Sequence, residues 1–256
     1  MSLLVVEGLE KSFAGVHAVA GYRLELPEGA IHGVIGPNGA GKTTLFNLIS
    51  GYVRPDAGRV RFAGRDITHL PAEARVRLGL ARTYQNIRLF KSLSVLDNVR
   101  VAAQLHGSAP FPHVLLSTPR FRASEARIRR EAEELLDLFG LGPHRDARAG
   151  SLPYGLQRKL EIARALAARP RLLLLDEPAA GMNPAEAAQL VAQIRSIRDR
   201  FGLTIMLVEH VMPVVMGLCD RIQVLDHGEI IAEGSPEAVR RDPKVVEAYL
   251  GTAVEA

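Results

Sequence analysis

The chain has 256 residues, enough for one large domain or two small ones with a sizeable buried core. Its 47% hydrophobic and 23% charged residues fit an ordinary globular protein, and 32 basic against 28 acidic residues argue against a dedicated nucleic-acid binder, which concentrates its basic charge. A single cysteine, Cys219, excludes an intramolecular disulfide and suits a reducing compartment.

The opening stretch MSLLVVEGLEKSF has no basic run before its apolar residues and does not read as a signal peptide. Strands are predicted at Leu3–Leu9 and Val19–Leu26, separated by a Gly/Ala turn, and at Ala30–Ile35, which runs into a Gly-rich loop. Thr43–Ser50 reads as a helix stopped by Gly51, and Arg59–Phe62 as a short strand. Pro71 is placed to open a helix, and Ser94 with Asp97 forms a capping pattern ahead of a helix to about Leu105. His106–Thr118, punctuated by Gly, Pro and Ser, reads as a loop.

Ser124–Phe139 carries the clearest amphipathic pattern, with Ile128, Leu135, Leu136 and Phe139 on one face. The arginines at 120, 122, 127, 129 and 130 read as a solvated helix face, with contact to phosphate or anionic lipid as the functional alternative. Gly155–Ala168 is a further helix. From there Leu172–Leu175, Pro184–Arg200, Leu203–Val208 and Arg221–Leu225 alternate strand and helix, which implies a mostly parallel sheet with flanking helices. Gly202–Cys219 is apolar but holds Glu209, His210 and Pro213, so it reads as a buried strand and short helix rather than a membrane span.

Residues 36–44 read GPNGAGKTT, matching G-x-x-x-x-G-K-[ST] between a predicted strand and helix. Such a loop turns backbone amides inward around anionic oxygens, so Gly36, Pro37, Asn38, Gly39, Ala40, Gly41, Lys42, Thr43 and Thr44 are the candidate ATP-binding residues. Lys42 can reach the β- and γ-phosphates, and the Thr43 hydroxyl can ligate Mg²⁺. Asp176 follows a run of four leucines, as expected of an acid holding Mg²⁺ at a strand's end. Taken alone, it could equally cap a helix before Pro178. Glu177, beside it, is the candidate catalytic carboxylate for orienting or deprotonating an attacking water.

With these residues the chain resembles an ABC-type ATP-binding subunit along nearly its whole length, and among those it is most similar to subunits of branched-chain amino-acid importers. RTYQNIRLF, STPRF, LPYGLQRKLEIARAL, DEPAAGMNP, EHVMPVVMGLCDRI and EAYLG carry the narrower match. Urea, amide and lipopolysaccharide systems are related alternatives, and a soluble ABC ATPase is a further one.

The resemblance implies an α/β fold. Its P-loop NTPase core combines a mostly parallel sheet, flanking helices and an antiparallel β part, with an inserted α-helical subdomain at 85–160 between core segments 1–84 and 161–256. It implies that Phe13 stacks on adenine, that Gln85 reaches Mg²⁺ and the attacking water, that His210 contacts the γ-phosphate, and that Leu152 and Gly155 lie in the turn gripping ATP bound to a second subunit. Arg88, Leu89 and Phe90 are expected to face a membrane subunit. The implied partners are integral membrane permease subunits, a second ATP-binding subunit as homo- or heterodimer, and, indirectly, an extracytoplasmic substrate-binding protein. The implied location is peripheral, on the cytoplasmic face of the inner membrane.

The signature turn departs from the common LSGGQ: Pro153 stands where a serine is usual and Leu156 where a glutamine is. Pro153 has neither hydroxyl nor backbone N–H, so the grip on nucleotide must rest on Gly155 and helix N-terminal amides. Asn183 occupies a position often held by Asp and can still hydrogen-bond across an interface.

Overall fold

The structure is a computed structural model describing residues 2–106 and 118–254, with side chains to residue 249. The loop expected at His106–Thr118 therefore falls almost wholly outside the described residues. Contacts divide the chain into a core unit, Met1–Arg75 with Arg171–Ala256, and a helical unit, Val76–Pro170. The boundaries drawn at 84/85 and 160/161 from sequence both lie inside the helical unit. The second cut through a continuous helix, Tyr154–Ala167, that buries Leu160, Ile162, Ala163 and Leu166 along its length.

In the core unit β1 (Ser2–Phe13) and β2 (Val16–Pro27) form an antiparallel hairpin longer than its apolar cores suggest. Its turn places Ala14 and Gly15 at positive φ. β4 (Ala57–Phe62) pairs with the other edge of β1, and β5 (Arg65–Asp66) pairs with β4. The second sheet has β3 (Ile31–Ile35) flanked in parallel by β8 (Thr204–Val208) and β9 (Arg221–Asp226), while β7 (Leu172–Asp176) runs parallel to β8. Every residue of β3, β7 and β8 is buried, which explains why they read as unbroken apolar runs rather than alternating ones. β10 (Glu229–Gly234) returns antiparallel to β9; its Glu, Ala and Gly residues carry little strand signal, and the sequence reading missed it.

Helix α1 (Lys42–Ser50) follows β3 and ends at Gly51 in the left-handed region. α2 (Ala72–Arg77) begins one residue after Pro71, whose carbonyl accepts the first helical bonds from Ala74 and Arg75. The Arg75 side chain is buried and donates to the carbonyls of Leu48, Ile49, Thr68 and Leu70. It thereby satisfies the open C-terminal carbonyls of α1, and burial lowers its pKa to about 10.

The helical unit contains β6 (Leu80–Arg82), α3 (Val95–Ala103), α4 (Pro119–Leu138) and α5 (Tyr154–Ala167). Ser94 caps α3 by accepting from the Asp97 amide at 3.0 Å, as the capping pattern implied. α4 starts five residues earlier than its apolar pattern, because Thr118 caps it and Pro119 suits its first turn. Its buried stripe is Ile128, Ala132 and Leu136, and its five arginines are exposed. Arg100 of α3 joins Glu125 of α4 at 2.8 Å.

After β7 the core unit continues through α6 (Pro184–Phe201), α7 (Met212–Leu218), α8 (Pro236–Arg240) and α9 (Pro243–Val254). Asn183 caps α6 in a full capping box, accepting from Ala185 and Glu186 at 3.0 Å each while Glu186 accepts from the Asn183 amide. Its side-chain oxygen is therefore committed to the helix, which leaves only its NH₂ for the interface role read from sequence. Among the described residues no helix is long and apolar enough to cross a membrane.

Candidate active site

The sheet order puts the C-terminal ends of β3, β7 and β8 side by side, so the loops leaving them converge. From β3 comes the 36–44 loop. Gly41, the N-cap of α1, has φ 100°, and a Cβ added there would lie 2.1 Å from the Ala18 carbonyl oxygen. At Gly36 a Cβ would meet the Leu225 carbonyl oxygen at 2.0 Å. Side chains are excluded on both sides, so the backbone can curl with its amides inward. Gly228, in the turn between β9 and β10, donates to the Ala40 carbonyl and accepts from Ala20, tying the loop to β2.

Lys42 is half-buried, and its ammonium donates to the Gly36 and Pro37 carbonyls at 2.7 and 2.8 Å. Burial pushes its pKa below the usual range, while Glu177 and Asp176 act in the opposite direction. One ammonium thus sits in the field of both carboxylates beside a loop shaped for anions.

Asp176 ends β7 and is buried. Glu177 turns the chain with φ 48°, a conformation uncommon for a residue with a side chain, and its amide donates to the Val208 carbonyl at 2.9 Å. Beyond β8, the His210 ring is exposed, with Nδ1 3.8 Å from Glu177 Oε1 and 3.9 Å from Glu209 Oε2. Glu209 is fully buried and accepts three backbone bonds, from Ala179 at 2.8 Å, His210 at 2.9 Å and Val211 at 3.0 Å. Sequence reasoning noticed Glu209 only as a neighbour of His210; a charged residue at the end of an apolar strand was the available signal.

The core unit therefore brings together residues 36–44, Asp176, Glu177 and His210. Phe13 lies at the end of β1 with half its surface exposed, and Lys11 Nζ lies 5.3 Å from its ring centroid.

Gln85, Leu152 and Gly155 belong to the helical unit. The Gln85 side chain is exposed, while its carbonyl accepts from Arg158 Nη2 at 2.9 Å. Leu152 is buried, so any contact it makes with nucleotide falls to its backbone; its carbonyl accepts from Gln157 Nε2 at 2.8 Å. Gly155 lies in the first turn of α5, and a Cβ there would meet nothing within 4 Å. Phe90 is exposed, with its backbone clasped in both directions by Asn98 and Arg164 5.6 Å from its ring.

The family described as ABC transporter matches residues 19–180, more than half of the chain. The chain belongs to the ABC transporter ATP-binding family. Residues 229–255 match a second family, described as Branched-chain amino acid ATP-binding cassette transporter. The high-affinity branched-chain amino acid transport ATP-binding protein BraF of Pseudomonas aeruginosa is 43% identical over 98% of both chains. LivG of Escherichia coli K12, which carries the same description, is 42% identical over 98% of both. The lipopolysaccharide export system ATP-binding protein LptB of Haemophilus influenzae is 36% identical over 98% of both. A crystal structure of an ATP-binding cassette of an ABC transporter in its ADP conformation superimposes with a TM-score of 0.85 at 32% identity, covering 98% of this chain and 99% of that one.

This ABC subunit is thus a nucleotide-binding ATPase with the α/β cassette fold. The convergence of loops just described sets an ammonium beside a glycine-rich turn and two carboxylates, an arrangement chemically able to hold anionic oxygens and to act on water.

Proposed function

We propose that this cassette hydrolyses ATP to drive high-affinity import of branched-chain, hydrophobic amino acids through a membrane transporter. The match of residues 229–255 carries the reading, because that segment lies outside the part shared with ABC transporters in general. The BraF and LivG likenesses, at 42–43% along nearly the whole chain, support it over the 36% likeness to LptB.

In this reading the 36–44 loop holds the phosphates and Phe13 stacks on adenine. Lys42 neutralises the β- and γ-phosphate charge, and Glu177 orients and deprotonates the attacking water. His210 touches the γ-phosphate. Thr43 and Asp176 would hold Mg²⁺. The donor set fits that ion: the Thr43 hydroxyl and the Asp176 carboxylate are hard oxygen donors, and their small number suits an ion that keeps several waters. When bound, Mg²⁺ supplies charge neutralisation at the transferring phosphoryl group.

Gly155 and the Leu152 backbone reach the nucleotide of a second ATP-binding subunit, which makes ATP the ligand favouring the closed pair. Hydrolysis removes that preference. Phe90 and Arg88 face the permease subunits on the cytoplasmic side of the inner membrane, and the substrate-binding protein engages those permeases from the other side.

Uptake of labelled leucine, isoleucine and valine tests the reading in cells whose only copy of this subunit carries Lys42→Ala. Loss of all three fluxes is expected. Intact leucine uptake accompanied by loss of urea uptake or of lipopolysaccharide export would overturn the substrate.

A further inference from the structure

Glu209 stands out as a buried, unneutralised carboxylate. It follows β8 directly, its side chain has no exposed surface, and the His210 ring lies 3.9 Å away. Burying a carboxylate is costly unless hydrogen bonds replace water, and here three backbone amides do so. Those amides come from two different loops. Oε1 takes the amide of Ala179, two residues beyond Glu177; Oε2 takes those of His210 and Val211.

A second bond, from the Glu177 amide to the Val208 carbonyl, joins the same loops one step closer to the strands. Two crossing ties therefore flank Glu177, whose left-handed backbone needs its surroundings to hold it there. Across these ties His210 Nδ1 lies 3.8 Å from Glu177 Oε1.

We infer that Glu209 is a positioning residue for hydrolysis: its two oxygens lock the loop bearing Glu177 to the loop bearing His210, so that the water-activating carboxylate and the γ-phosphate histidine keep one geometry. The inference rests on the roles proposed above for Glu177 and His210. It assigns Glu209 no contact with nucleotide. Ground-state binding therefore stays with the 36–44 loop, and only the chemical step depends on Glu209.

The isosteric variant Glu209→Gln isolates the effect. It keeps one acceptor oxygen and turns the other into an NH₂ that confronts a backbone donor, so one of the two loops is released. The full-length variant in the assembled transporter is compared with wild type for ATPase kcat and KM. Purified subunits are compared for binding of a fluorescent ATP analogue and for unfolding temperature. A fall in kcat of about 10- to 100-fold is expected, with KM and analogue affinity within about twofold and no loss of folded protein.

Wild-type kcat in Glu209→Gln would overturn the inference. So would a loss of turnover matched by an equal loss of folded protein or of analogue binding, since either result makes Glu209 a general stabiliser. Glu177→Gln, measured alongside, separates the two levels. If it abolishes turnover while Glu209→Gln does not, only the positioning role falls; if it turns over normally, the assignment of Glu177 falls first.

Discussion

Arg158 and Glu161, one turn apart on α5, form a fully buried ion pair at 3.0 Å whose remaining atoms hold the backbone around Gln85. Arg158 donates to the carbonyls of Tyr84 and Gln85 at 2.6 and 2.9 Å, and Glu161 accepts from the amides of Tyr84 and Arg88 at 3.3 and 3.2 Å. The helix that begins at the signature turn thus carries the segment bearing the exposed Gln85 side chain. Burial pushes the Glu161 carboxyl up, and Arg158 with the two amides opposes that rise.

Arg158→Met should therefore cost about 3 kcal/mol, because it strands Glu161 in the interior and frees two carbonyls. Urea unfolding measures the loss. Amide hydrogen exchange should rise at residues 84–88 before it rises in the strands of the core unit.

Lys42→Ala removes the ammonium that lies between the 36–44 loop and the carboxylates of Asp176 and Glu177. ATPase activity should fall to background, and affinity for ATP by at least tenfold. Stability should change little, since the lost bonds are two half-exposed contacts to loop carbonyls. Steady-state turnover, isothermal titration with ATP and thermal unfolding check the three parts.

Gly155→Val offers a contrast between folding and function. A Cβ at this position meets nothing within 4 Å beyond its own helix, and removing a helical glycine relieves backbone entropy. The variant should fold with wild-type stability and bind ATP normally as an isolated subunit. If the turn grips nucleotide bound to a second subunit, as proposed, the variant's ATPase in the assembled transporter should drop about tenfold or more, because valine fills the space that nucleotide would approach. Normal turnover in the assembled transporter counts against the turn's role.

His32 is buried in β3 and its Nε2 has no hydrogen-bond partner among the described residues. Desolvation lowers its pKa from 6.5 to about 4, against smaller opposing effects of Gln223 and Glu233, while Arg221 acts with it. The unfolded chain therefore binds a proton that the folded chain refuses. The resulting stability is fully present above pH 6.5 and is lost as pH falls from there toward 4, by up to about 3 kcal/mol. In urea unfolding at pH 7.5 and 4.5, His32→Gln should lose less stability between the two than wild type does.

Much of the site was legible because its chemistry is local in sequence. GPNGAGKTT closes a phosphate loop within nine residues, and LLLLDE announces a buried strand ending in acids. Strand type was also legible where burial is complete, as in β3, β7 and β8. The β10 return strand, the short β6 and the early start of α4 were missed, since caps and pairing partners, rather than apolar periodicity, create them.

The sequence by itself determined the family, the glycine-rich 36–44 loop, most of the strand and helix alternation, and the choice of Lys42, Asp176, Glu177 and His210 as candidates. The tertiary structure alone decided which loops share a carboxylate and which carbonyls share a guanidinium. Glu209 serves Ala179, thirty residues away, and Arg158 serves Tyr84, seventy-four away. It also decided that Leu152 is buried, that Asn183 caps α6, and that Arg75 closes α1. A side chain's desolvation and its hydrogen-bond partners depend on which distant backbone it meets, and no local pattern of residue types encodes that meeting.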